Sequence, residues 1–208
     1  MGLSNCVVIT GSIGCGKSTV CSMLASKGYK IIDADAIAKE IANSNLSTIA
    51  SLFGNDYVEE GILNREKLGK LVFSNETAKA KLEAVMHPLI KEKILKEAQK
   101  LEKDNKIYFI DIPLFFESKN YTELSPVAVV YTPRETQIQR ISLRNNLAVE
   151  DVLARVNSQI DIEEKAKTAD FIIDNSGEIS ELSGKVNNFL KEVEIWFCKN
   201  TARAETIF

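Results

Sequence analysis

The chain has 208 residues, 26 Lys+Arg against 29 Asp+Glu for a net charge of −3, 45% hydrophobic residues and 4 Pro, values of an ordinary globular protein too short for a multi-domain motor. Lysines scattered among glutamates make no basic field that would hold a nucleic-acid backbone, so no nucleic-acid partner is expected. No apolar run approaches the roughly 18–20 residues that span a bilayer, and a polar, glycine-rich loop comes too early for a signal peptide, so the chain reads as cytoplasmic with no membrane partner.

Residues 6–10 (CVVIT) form a short apolar run that ends in a glycine loop, after which Val20, Met23 and Leu24 recur at helical spacing. Residues 29–32 (YKII) predict a second strand, 107–112 (IYFIDI) a third, 127–131 (VAVVY) a fourth and 171–174 (FIID) a fifth. Each is a near-continuous apolar run of the kind covered on both faces. Helical patterns separate them, so the sheet should be mainly parallel and the fold α/β.

Between Ala34 and Asp104 only helical patterns stand out, such as Leu63/Lys67/Leu68/Leu71 and a lysine- and glutamate-rich segment from Pro88 to Lys103. They predict a helical insertion at 41–103 within a core of 1–40 and 104–208. Near the C-terminus Leu182, Val186, Phe189, Leu190, Val193 and Phe197 make one apolar stripe, and with Trp196 they read as core rather than as a cofactor box. From about Lys199 the pattern stops, and the end is expected to fray. The four cysteines, Cys6, Cys15, Cys21 and Cys198, have no C-x-x-C spacing, and a single histidine leaves little for a Cys/His metal site, so they read as reduced thiols.

Gly11-Ser12-Ile13-Gly14-Cys15-Gly16-Lys17-Ser18 fits G-x-x-x-x-G-K-[ST] at every specified position, between a strand and a helix. Glycines let the backbone fold so that its N–H groups face phosphate oxygens, and the helix presents its positive end to the same anion. Lys17 would reach the β/γ-phosphates, Ser18 would coordinate Mg²⁺, and Thr19 would pack or hydrogen-bond nearby. A dinucleotide loop fits poorly, because Gly14-x-Gly16-x-x-Thr19 lacks the third small residue and puts a lysine inside the turn. No guanine-reading N-K-x-D is present, which leaves a kinase for a small acceptor.

The second strand ends in Asp33-Ala34-Asp35. A carboxylate there can accept the acceptor hydroxyl's proton, or it can cap a helix over 34–42, and both readings stand; Asp35 suits the helix's first turn. Asp111, at the end of the third strand, resembles a Walker-B position; it could hold Mg²⁺ through water, position the acceptor or cap a loop. Glu117 follows without an assigned role. Gln137, Arg140 and Arg144 share a helical face, as do Arg155 and Gln159 on the next helix, whose opposite face carries Val149, Val152, Leu153 and Val156. The arginines form either a lid that neutralises transferring phosphate or a solvated cationic face.

The chain at this point resembles the dephospho-coenzyme A kinases, ATP-dependent enzymes that phosphorylate the ribose 3′-hydroxyl of their acceptor in the last step of coenzyme A synthesis. The resemblance rests on T-G-x-I-G-x-G-K-S-T at 10–19, I-D-A-D-x-I-A at 32–38, H-P-L-I at 87–90, D-I-P-L-x-F-E-S at 111–118, R-x-x-x-R at 140–144, A-R-V-x-S-Q at 154–159 and A-D-F-I-I-D-N-S-G at 169–177. It implies a three-layer P-loop kinase fold with a five-stranded sheet, a helical coenzyme A-binding insertion and a small helical lid at about 134–160, acting on ATP with Mg²⁺.

The resemblance also implies roles. Asp33 would be the base, Lys17 and the loop from Gly11 to Thr19 would hold ATP, and Arg140 and Arg144 would clamp its phosphates. Asn175 would lie near the adenine. His87 with Pro88 would face the acceptor from the insertion, and Asp111, Pro113 and Leu114 would stand on the acceptor side. Lys91 departs from the arginine that family members often have, keeping the charge but losing the planar fork. Phe116 for leucine and Asn145-Asn146 in the lid turn preserve apolar volume and turn character. A monomer, with at most weak self-association, is expected. Another nucleoside or nucleoside-monophosphate kinase, or a noncatalytic nucleotide-binding switch, are the alternatives that the local chemistry allows.

Overall fold

The apolar runs of the sequence become the strands of one sheet in the computed structural model, which describes residues 3–145 and 148–205. Among the described residues the strands are β1 (Cys6–Gly11), β2 (Ile31–Asp33), β3 (Val58–Glu59), β4 (Ile62–Leu63), β5 (Tyr108–Asp111), β6 (Val127–Tyr131) and β7 (Phe171–Asp174). The main sheet has the order β2-β5-β1-β6-β7, and β1 pairs in parallel with both β5 and β6, setting Val8 opposite Ile110 on one side and Val127 on the other. After β1 the chain places β2 at one edge, returns to fill the position between them with β5, and then crosses to β6 and β7 on the other side, so the carboxyl end of β1 is a point where the strand order reverses, the usual place for a ligand in an open α/β sheet.

The chain divides into two compact units, Met1–Ile32 with Leu101–Phe208, and Asp33–Lys100. The sequence reading put the division at 41 and 103. It falls instead at the end of β2, because α2 (Ala34–Ser44) starts directly from the strand.

In the first unit, α1 (Lys17–Ser26) and α10 (Ile179–Glu205) carry the apolar residues that meet the sheet. Val20 and Leu24 of α1, with Leu182, Val186, Phe189, Leu190 and Val193 of α10, form one buried cluster with Val7, Ile9, Phe109, Val130, Phe171 and Ile173. Phe189 is its hub, 6.0 Å from Phe109 and 5.7 Å from Phe171 between ring centroids. Trp196 and Phe197 pack on this core as expected. The helix does not stop near Lys199 but continues to Glu205, and residues 206–208 lie outside the described residues. The fifth strand is less enclosed than its composition suggests. It lies at the sheet's edge, and Ile172 is 49% exposed while Phe171 and Ile173 are buried.

The second unit holds α2, α3 (Leu46–Phe53), α4 (Arg65–Ser74) and most of α5 (Glu76–Glu102). Ile49, Leu63 and Leu68 form its small core, with Phe53, Tyr57 and Leu82 against it. Two of its features differ from the sequence reading. First, β3 and β4 pair as an antiparallel hairpin where only helix was expected. Glu60 and Gly61 both have positive φ, 50° and 76°, as a two-residue turn between right-twisted strands requires, and two-residue strands are too short to show a period. Second, the helical segment read from Pro88 to Lys103 begins earlier, at Glu76, so that Pro88 lies inside α5. Proline removes one ladder hydrogen bond, but Met86, Ile90, Ile94 and Ala98 recur every four residues and are buried, so packing carries the helix through.

Between β5 and β7 lie α6 (Phe115–Ser118), α7 (Arg134–Asn145), α8 (Val149–Asn157) and α9 (Ile162–Thr168). Ile141, Val152 and Val156 bury against one another, with Ile138 and Ile13 packed on them. Val149, expected on the same apolar face, is 56% exposed. Asn146 of the lid turn lies outside the described residues. No described helix is long and apolar enough to cross a membrane, and all four cysteines are free thiols, Cys6, Cys15 and Cys21 of them buried.

Candidate active site: the loop after the first strand

The loop from Gly11 to Gly16 turns between β1 and α1 at the carboxyl end of the central strand. Its glycines are set by geometry. Gly16 has φ +85°, and a Cβ there would overlap the Asn175 amide; Gly14 has φ +82°, and a Cβ would come within 2.8 Å of the Gln137 carbonyl. Both conformation and space therefore exclude a side chain. No acid occupies the first turn of α1, so no side chain of that turn competes with an anion for the helix's amino end.

Side chains distant in sequence brace the loop. Asn175 Nδ2 donates to the Cys15 carbonyl at 2.8 Å, and the Thr132 hydroxyl lies 3.2 Å from the same oxygen and 3.0 Å from the Asn175 carbonyl. Gln137 donates to the Thr132 carbonyl at 2.7 Å, and the Ile13 N–H donates to Gln159 Oε1 at 2.8 Å. Thr132 carried no sequence signal; its value lies in a fold that brings the ends of β6 and β7 beside the loop. Gln137, expected on the helical face it shares with Arg140 and Arg144, is buried. Asn175, expected near an adenine, is buried with its amide on the loop itself.

Lys17 and Asp111, read separately from the sequence, form an ion pair in which Lys17 Nζ meets Asp111 Oδ1. Asp111 Oδ2 also accepts from the Cys21 thiol at 3.4 Å. Burial pushes the Cys15 thiol up, partly offset by a hydrogen bond from the Lys17 amide and by the Lys17 and Lys165 charges. Arg140 extends along the same region, donating from Nη2 to the Asn175 carbonyl at 3.0 Å and from Nη1 to the Thr132 hydroxyl at 3.3 Å. Arg144 is exposed on the last turn of α7. Thus the loop, Lys17, Asp111, Arg140 and Asn175 come together, with Pro113, whose carbonyl accepts from the Thr10 hydroxyl at 3.1 Å. Leu114 follows, 46% exposed. Ser12 is buried, Ile13 and Thr19 are half-buried, and Ser18 is exposed at the start of α1.

Asp33 is the last residue of β2 and also the cap of α2, its Oδ1 accepting the Ala36 N–H at 2.9 Å. The carboxylate is exposed, so capping one amide leaves the group open to solvent. His87 is half-buried within α5. Among the described residues no group of three or more His, Cys, Asp or Glu could hold a metal alone. The donor set of Ser18 and Asp111 nonetheless suits Mg²⁺, which takes one or two protein oxygens and completes its shell with water and phosphate.

A parallel sheet with a G-x-x-x-x-G-K-S loop at its reversal point, a strand-end aspartate on the loop lysine and an arginine above it define the P-loop kinase class. A shikimate kinase of Bacteroides thetaiotaomicron shares the fold, with TM-score 0.53 at 11% identity over 91% of this chain and 98% of that one. The chain belongs to the dephospho-CoA kinase family, whose pattern matches residues 5–181. A dephospho-CoA kinase of Helicobacter pylori J99 is 46% identical over 191 residues, 91% of this chain and 97% of the relative. The solved dephospho-CoA kinase of Campylobacter jejuni is 43% identical with TM-score 0.73, over 91% of this chain and 96% of that one.

Proposed function

We propose that the chain transfers the γ-phosphoryl group of ATP to the ribose 3′-hydroxyl of dephospho-CoA, giving CoA and ADP by direct in-line displacement. The observation that carries this reading is the braced P-loop with Lys17, Asp111 and Arg140 converging on it, in a chain that matches the family over residues 5–181. The loop amides and the amino end of α1 receive the phosphates, and Lys17 leaves Asp111 to follow their charge. Arg140 already lies beside the loop, and Arg144 joins it from the same helix face, so the arginines offset charge as it develops on the transferring group. The Ser18 hydroxyl and the Asp111 carboxylate would hold Mg²⁺, which would supply charge neutralisation for the phosphates.

Asp33 is the proposed base. It accepts the 3′-hydroxyl proton and aims the oxygen, a role compatible with its exposure and with capping α2 through one oxygen. His87, with Pro113 and Leu114, is assigned to acceptor binding, and Asn175 to holding the loop. A cytoplasmic location belongs to the same reading and agrees with four free thiols.

ADP release from Mg·ATP, with dephospho-CoA offered beside adenosine, AMP and CMP, tests the assignment. Turnover with dephospho-CoA alone is expected. Turnover with a simple nucleoside or nucleotide instead would assign the chain a different acceptor.

A further inference from the structure

Glu117 and Lys165 form a pair that the mechanism above does not use. Lys165 is a fully buried lysine in α9, its side chain 0% exposed, and its Nζ lies 2.7 Å from Oε1 of Glu117 in α6. The same Oε1 accepts the Ile160 N–H at 3.0 Å. Burying a cation and an anion costs several kcal/mol per ion before their attraction repays it, and a packed apolar pair does as well or better for stability. Stability alone therefore does not account for this arrangement. What the pair does is fix a place: α6, the Ile160 amide and α9 are held to one carboxylate.

The segment so fixed is the connection from α8 to α9, and it touches the phosphate loop. Gln159, next to Ile160, accepts the Ile13 N–H at 2.8 Å. Val156, at the end of α8, is in the cluster on which Ile13 packs. Between Ser12 and the residues Val156, Ile160 and Ile162 the gap amounts to about 10 Å³, room for no more than one water. A shift of the segment is thus a shift of the loop, because close-packed elements transmit displacement rather than absorb it.

We propose that Glu117 and Lys165 are positioning residues for ATP: they hold residues 159–162 in place so that Gln159 keeps Ile13, and through it the phosphate loop, in the shape that receives the nucleotide. The inference rests on the proposed use of ATP by this loop.

Its test is calorimetric Mg·ATP affinity, measured on the wild type, Gln159→Ala, the pair replacement Glu117→Gln/Lys165→Met, and all three changes together. The pair replacement is near-isosteric and leaves no unpaired buried charge. It is expected to weaken ATP about tenfold, and Gln159→Ala to weaken it about fivefold in the wild type but less than twofold once the pair is gone, the coupling expected of residues acting through one contact. Unchanged ATP affinity in the folded pair replacement would overturn the proposal, as would a full Gln159→Ala effect in both backgrounds. Should the pair replacement fail to fold, Glu117→Asp takes its place: it keeps both charges but draws the carboxylate back from Lys165 and from the Ile160 amide, and unchanged ATP affinity in it would likewise overturn the proposal. Wild type that binds ATP yet leaves dephospho-CoA untouched would sink the proposed acceptor, while the affinities still decide the role of the pair.

Discussion

Lys17 and Asp111 meet because β5 lies next to β1 in the sheet, so the end of one strand faces the loop after the other. Each was legible separately as a candidate, one from a fixed motif spacing and the other as an acid after an apolar run, but not their pairing. The residues that hold the loop were not. Asn175 and Cys15 are 160 positions apart, and only the strand order brings them together. Arg140 and Arg144 were indistinguishable in sequence, sharing one helical face, but the structure separates them: Arg140 is tied to Thr132 and Asn175, whereas Arg144 is exposed. Arg140→Ala should therefore lower turnover at saturating ATP by about 10²-fold or more, in the range for removing a charge-stabilising donor. It should also loosen the Thr132–Asn175 brace and raise the KM for ATP, whereas Arg144→Ala should leave that KM within about twofold while still lowering turnover. Steady-state kinetics of both variants checks this, and equal KM increases would remove the distinction.

At the scale of elements, periodicity was a good guide where an element is long and one-sided. The stripe on α10 follows the helical period for several turns, and its residues are the ones buried against the sheet. Phe189, 2% exposed and seated between Phe109 and Phe171, anchors it. Phe189→Ala should cost about 3–5 kcal/mol and lower the thermal midpoint by about 10 °C at this chain size, with a calorimetric scan as the measurement. A loss under about 1 kcal/mol would mean that the core closes around the gap. Where elements are short or run against a local rule, the sequence was a poor guide. The β3–β4 hairpin has strands of two residues, and α5 keeps its course through Pro88 because burial on either side outweighs one missing hydrogen bond.

For the whole molecule, the thiols add an alkaline limit to stability. Cys6 is 1% exposed at the start of β1, and burial together with the nearby Glu102 carboxylate pushes it from 9.0 up to about 11. The native fold thus requires the neutral thiol, and the unfolded chain gives up that proton first. The contribution is fully present below pH 9 and is lost as pH rises toward 11, a loss of about 2 kcal/mol by linkage. Cys15, raised by burial as well, acts in the same direction. Urea unfolding across this range should show falling stability in the wild type and a shallower fall in Cys6→Ala. Equal slopes would show that the unfolded state holds this proton as tightly as the folded one.

Asp33, exposed at the end of β2 and start of α2, is the proposed base on which the whole reaction turns. The measurement that tests this most directly is phosphorus NMR of the product formed from Mg·ATP and dephospho-CoA, run with the wild type and with Asp33→Asn. The account predicts one new phosphomonoester coupled to the ribose 3′ proton in the wild type, appearing about 10²–10⁴-fold more slowly in the variant, the span of a lost general base. Phosphate on another oxygen, ADP without a phosphorylated acceptor, or an equal rate in the variant would contradict it.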